Sequence, residues 1–151
     1  MGAASLNQAI KAVAVARGFL ETDGIDLDVE VTRVPDESIR NLLQLKVNKK
    51  PRAESPAAAG ESVDLRCAAT TETVSLAGAI ANNIREGARV RVTAIGPVPI
   101  FRAVDSIVKA RVFLQRDNMD ISFVPSFTTI EAGEDRQGVV NAMQLLVVKS
   151  N

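Results

Sequence analysis

The stretch Gly2–Leu20, GAASLNQAIKAVAVARGFL, is a turn of small residues followed by an alanine-rich helix. A diverged copy stands at Gly96–Leu114, GPVPIFRAVDSIVKARVFL. At a fixed offset of 94, Gly2, Ala9, Ala16, Arg17, Phe19, Leu20, Asp23 and Asp26 meet Gly96, Ala103, Ala110, Arg111, Phe113, Leu114, Asp117 and Asp120. After a six-residue length difference, Asn41, Gln44, Leu45, Val47 and Lys49 meet Asn141, Gln144, Leu145, Val147 and Lys149. The identities fall on apolar positions, caps and turns, as expected of a duplicated supersecondary unit.

Within the first copy, residues 5–20 read as a helix. Leu6, Ile10 and Val13 recur at helical spacing, which puts them on one face. Ser5 is the expected cap, since a serine hydroxyl can accept from a free first-turn amide. Ala9, Ala12, Ala14 and Ala16 keep the helix thin, so a sheet or another helix can approach it closely. Asp23-Gly24 then signals a turn. Ile25, Leu27, Val29 and Val31 alternate with acidic residues, and Leu43, Leu45 and Val47 alternate with polar ones. Two such runs in succession predict an antiparallel hairpin.

Residues 49–61, KKPRAESPAAAGE, interrupt the pattern with two prolines and a run of small residues. They read as a connection between units. Val63, Leu65 and Cys67 then alternate with polar residues as a strand. A polar turn and a helix over about 73–86 follow, with Thr70-Thr71-Glu72-Thr73 and Ser75 as a capping cluster. Val90, Val92 and Ala94 form another strand. The second copy of the helix spans about 99–115, and strands around Met119–Phe123 and Met143–Val147 flank a charged turn at Glu131–Gln137. The expected class is therefore α/β, more closely an α+β two-layer fold. Residues 1–50 form an α-β-β half unit, 51–61 a linker, and 62–151 a complete β-α-β-α-β-β unit.

Composition bounds the chemistry. Lys+Arg and Asp+Glu are both 18 in 151 residues. The balance also holds by segment, with seven of each in 1–50 and ten of each in 61–151. No basic tail is present to bind phosphates without sequence preference. Five Phe and no Tyr or Trp leave an aliphatic core. One cysteine, Cys67, rules out an internal disulfide, and with no histidine a zinc site is not expected. These features point to a cytoplasmic, reducing setting, with cytoskeletal or nucleoid association open. No apolar run reaches membrane-spanning length. Met1-Gly2 fails the myristoylation pattern because residue 6 is Leu.

At GAASLNQAIKAVAVARGF the chain resembles the stage V sporulation protein S family. The later segments MDISFVPSFTT (Met119–Thr129) and VSLAGAIANNIR (Val74–Arg85) echo the same family. The resemblance implies an Alba-like fold and, with it, a small dimeric protein that binds DNA or RNA without catalysis. Two departures stand against carrying that role over. Asn7, Gln8 and Lys11 face Phe101, Arg102 and Asp105 in the second copy, which reverses a charge where a phosphate contact would be wanted. The copy that keeps the polar residues also lacks the three elements that precede it in the complete unit.

The candidate contact residues are Asn7, Gln8, Lys11 and Arg17 on the first helix and Arg89, Arg91 and Arg102 in the second unit, with Arg85 near them. Against a phosphate site stands ordinary surface pairing with Glu86 or Asp105. Gly96-Pro97-Val98-Pro99 reads as a rigid turn, since its prolines remove two of the amides an anion would need. Glu131, Glu134 and Asp135 read as a soluble hairpin tip rather than a metal site. Cys67, on the inward strand face, has no activating base and reads as core. No catalytic set is evident, so neither enzyme activity, cofactor nor small-molecule substrate is expected.

The half unit would expose an apolar face on its own. It could pack on the complete unit as an extra layer, pair with its counterpart in a second chain, or compete for residues 62–95 in a domain swap. All three imply an assembly subunit, in a homo-oligomer or a larger protein assembly. The alternative is an Alba-like nucleic-acid-binding regulator.

Overall fold

A computed structural model describes residues 2–35, 42–52, 62–131 and 139–150. The charged turn and most of the linker lie outside these residues. The elements run α1 (Ala3–Leu20), β1 (Ile25–Val34), β2 (Leu42–Pro51), β3 (Ser62–Cys67), α2 (Thr73–Arg85), β4 (Arg89–Ala94), α3 (Pro97–Leu114), β5 (Ile121–Glu131) and β6 (Val139–Lys149). The six strands form one mixed sheet in the order β2-β1-β5-β6-β4-β3. Only β3 and β4 are parallel, joined through α2, because a parallel pair needs a crossover. The buried residues of all three helices share one cluster with alternate strand residues: Val29, Val31, Leu43, Val90, Val92, Ile121, Phe123, Leu145 and Val147. The helices thus cover one face of the sheet, giving two layers around an aliphatic core.

Several local expectations shift. Ser5 is not the cap of α1. The helix starts two residues earlier with Gly2 at its N-cap and no side-chain cap bond, while the Gly2 carbonyl accepts from the Leu6 amide. The predicted capping cluster does contain the N-cap of α2, but supplies no side-chain cap bond. Glu72 holds the N-cap without a side-chain bond, and the Thr71 hydroxyl instead accepts from the Ala68 amide at 2.8 Å, closing the turn ahead of the helix. Strand β2 runs on through Pro51, opposite Ile25. A proline is tolerated there because it ends an outermost strand. Strands β5 and β6 pair from Ile121–Lys149 as far as Glu131–Val139, longer than their central apolar residues suggest.

The first copy of the repeat extends the sheet of the second edge to edge and does not form a further layer. Strand β1 runs antiparallel to β5 with Val29 opposite Phe123. Those two residues are themselves counterparts at the offset of 94, so a local two-fold axis passes between them. Helix α1 lies over β1 and β5 and packs against α3.

A pair of reciprocal clasps follows that symmetry. Arg17 grips Asp26 with two bonds, at 2.6 and 3.1 Å, and donates across the axis to the Pro125 carbonyl at 2.9 Å. Arg111 grips Asp120 at 2.7 and 2.8 Å and donates back to the Val31 carbonyl at 2.6 Å. Each aspartate also accepts from the next backbone amide, Leu27 or Ile121. The planar guanidinium fork suits this bidentate grip and leaves a third donor for the facing strand. The turns that feed the clasps match as well. Gly24 at φ 70° and Asn118 at φ 54° both take the left-handed conformation that these residue types tolerate.

Candidate interaction face

The second copy of the repeat is covered by an α-β layer that the described residues do not supply over the first copy. Beside β6 lies β4, with Val92 opposite Leu145 and Val90 opposite Val147. Over α3 lies α2, presenting Leu76, Ala77, Ile80, Ala81 and Ile84. On the first copy, β2 is the outermost strand.

Counterpart residues register the difference. Val147 is fully buried, whereas Val47 is 45% exposed. Ala103, Ser106, Ile107, Ala110 and Leu114 on α3 are all buried. Their counterparts Ala9, Val13, Ala16 and Leu20 are half-buried, and Ala12 is exposed. Phe113 is 37% exposed, and Phe19 is 77% exposed. The result is a continuous apolar face from Phe19 and Val13 on α1 to Leu45 and Val47 on β2. Among the described residues nothing stands where α2 and β4 stand over the second copy.

The sequence-predicted contact residues scatter. Gln8 and Lys11 are exposed on α1. Asn7 is 95% buried in effect, at 5% exposure, and its Oδ1 is buried without a hydrogen-bond partner. Leaving such an acceptor unmet costs about 1–3 kcal/mol, and the second copy carries Phe101 at that place. Arg17 belongs to the clasp. Arg89 and Arg91 point away from the helices, because Val90 and Val92 between them enter the core. Arg91 pairs with Asp64 at 3.6 Å. Arg102, on the helical side, donates to the Thr71 carbonyl at 3.1 Å. Arg85 reaches Asp117 at 2.7 Å and the Phe113 carbonyl at 2.9 Å, tying the end of α2 to the end of α3. The arginines are therefore split between two faces of the sheet, with Arg91 paired to Asp64 and Arg85 to Asp117.

The charge reversal at Asp105 also has a local cause. Its carboxylate is paired with Arg33 of β1 and with Lys109 at 3.1 Å, so it serves the contact between the two copies. Across the two-fold axis, Lys11 instead borders a pocket of about 320 Å³ with Gly96, Ile100, Phe127, Asn141 and Met143. A wider groove of about 600 Å³ passes between α3 and β1. Of its charged groups, Arg33 pairs with Asp105, and Arg111 and Asp120 hold each other. That grip keeps the Asp120 carboxyl below its ordinary value, with burial opposing. Cys67 is buried, and burial pushes its thiol up from the ordinary value. Its thiolate, the reactive form, is thereby disfavoured.

Among the described residues, no group of three or more His, Cys, Asp or Glu side chains could hold a metal ion. No helix is long and apolar enough to cross a membrane.

The architecture is that of the Alba-like proteins: a β-α-β-α-β-β unit preceded by an α-β-β half. A family model described as Stage V sporulation protein S (SpoVS) matches residues 1–35 and 63–150. The chain belongs to the stage V sporulation protein S family. That family is not one of known enzymes.

Proposed function

We propose that this chain is a non-enzymatic subunit that acts through protein–protein contacts, within the sporulation-related regulatory role that membership of the family suggests. Residues 1–50 serve as a half unit, 51–61 as a connection, and 62–151 as the complete unit to which the half is clasped. The observation that carries this reading is the uncovered α1–β2 face, seen against the covered counterpart on α3 and β6. An apolar helix face beside an outermost strand is the arrangement that strand addition by a partner exploits.

The charge pattern supports the same reading over nucleic-acid binding. Arg17, Arg85, Arg91 and Arg102 are engaged within the chain. Gln8 and Lys11 alone among the polar candidates on α1 are exposed. A duplex grip releases counterions through several free cations, whereas these four arginines are each held within the chain.

A retardation assay with DNA and with RNA, at low and at moderate salt, separates the two roles. The expected result is no retained complex at moderate salt. Binding that falls steeply with salt and disappears in Lys11→Ala overturns the protein-contact reading in favour of a nucleic-acid-binding regulator.

A further inference from the structure

We infer that the uncovered α1–β2 face is the acceptor for a second β-α-β element, distinct in sequence from residues 62–95, whose docking strand is acidic on its outer face and whose helix ends in a basic residue. This rests on the proposed assembly role and specifies its partner. The chain itself carries the template for the docking. Residues 62–94 cover α3 and β6 with a strand antiparallel to β6 and a helix laid on α3. Counterpart positions convert that template into requirements on whatever covers α1 and β2.

The helix requirement comes first. Arg85, at the end of α2, donates to the Phe113 carbonyl and to Asp117. The offset of 94 places Phe19 and Asp23 at those positions, and Asp23 is exposed. A basic residue at the end of an incoming helix would meet the same two acceptors. Gln8 stands where Arg102 donates to the Thr71 carbonyl, so its amide can offer the same bond to an incoming turn. Val15 stands where Lys109 donates to the Thr73 hydroxyl, and it is 44% exposed. The incoming helix should therefore begin with an apolar contact at that point.

The strand requirement separates the occupant from a second copy of residues 62–95. On β4, Arg91 lies opposite Leu146 of β6. The counterpart of Leu146 on β2 is Lys46, and Lys50 lies further along the same face. A second copy of β4 would set Arg91 against Lys46, and like charges directly opposite each other destabilise a pair. Pairing β2 with β2 of a second copy is disfavoured too. It would bring two lysine-bearing edges together, the arrangement natural sheets use to block edge association. It would also leave no helix over the join, because α1 sits over β1 and β5 and not over β2. Exchange of 62–95 between copies changes nothing, since the described residues carry two acceptor faces and one such segment. An acidic strand satisfies Lys46 and Lys50 from the side opposite Glu30 and Asp28, their partners in β1.

The test supplies the missing element to the full chain. A second copy of residues 62–95, bearing Arg89→Glu and Arg91→Glu, is joined directly ahead of Gly2, which recreates the Ile95–Gly96 junction. A control carries the same segment unaltered. Hydrogen exchange is then followed at the edge-facing amides of β2. The acidic graft is expected to slow them by about tenfold or more, the unaltered graft by clearly less, and Asp23→Ala in the acidic graft should return part of the protection. The native residues 62–95 keep their place on α3 and β6, where Arg91 faces Leu146, so the grafted segment is the one read at β2. Edge amides that exchange as fast in the acidic graft as in the parent overturn the acceptor. Equal protection by both grafts overturns the acidic-strand requirement. Neither outcome bears on the retardation assay, so the partner's chemistry and the broader role fail separately.

Discussion

Two regions of this molecule are built from the same sequence pattern and end in different situations. Helix α3 with β5 and β6 lies inside the fold, under α2 and beside β4. Helix α1 with β1 and β2 lies at the end of the sheet, clasped on one side and uncovered on the other. The clasp residues are the same in both copies: an arginine late in the helix, an aspartate nine residues on, and a carbonyl of the facing strand. Ala9, Ala16, Phe19, Leu20 and Val47 match their counterparts in identity yet are more exposed, so the same residue meets different neighbours in the two copies. Ile107, fully buried beneath α2, is Val13 on α1, and Ser106 is Ala12.

The clasps provide the largest test of that comparison. Arg17 is only 13% exposed and its partner Asp26 1%, whereas Arg111 and Asp120 are 20% and 35% exposed. Removing one partner of a buried ion pair costs about 3–5 kcal/mol because it strands the other charge, and a better-solvated pair costs less. Arg17→Ala is therefore expected to lower unfolding free energy in urea by about that amount. Arg111→Ala should cost roughly half as much, because water can reach Asp120. Equal losses would remove the distinction between the two clasps.

Core truncation gives the next largest effect. Ile107→Ala should cost about 2–5 kcal/mol, as expected for a fully enclosed aliphatic side chain. Val13→Ala, at the counterpart position on the uncovered helix, should cost about 1 kcal/mol or less, in proportion to the smaller area it buries. A Val13 cost as large as that of Ile107 would show that α1 is covered in solution.

The smallest effect is in pH. Arg111 holds the Asp120 carboxyl below its ordinary value, so the folded state binds a proton there less readily than the unfolded state does. The stabilisation is complete above the ordinary aspartate value of about 3.9 and drains away as pH falls through the lower folded value. Asp120→Asn should flatten the acid limb of the stability profile in that window. An unchanged limb would mean the Arg111 clasp is open in solution.

Much of this architecture is legible in the sequence. Alternation in Ile25–Val31, Leu43–Val47 and Val90–Ala94 gives the strands, because a half-buried sheet imposes a period of two. The offset of 94 gives the duplication, and it aligns both clasp arginines and both clasp aspartates. Their roles were not legible. Arg17 reads as a contact residue until Pro125, which is 108 residues away, is seen to accept from it. Asp105 reads as a lost phosphate contact until Arg33 is found facing it. Asp23 draws attention only once its counterpart Asp117 is seen holding Arg85.

Local sequence thus determined the elements, the repeat and the family, because propensity and burial period act over neighbouring residues. The tertiary structure alone decided that β1 adds to β5 across a two-fold axis. It also decided that the arginines face inward as clasps and that the Gly2–Leu20 helix keeps one side uncovered. Those outcomes depend on which distant groups meet, and pairings between residues about a hundred positions apart leave no local periodicity to read.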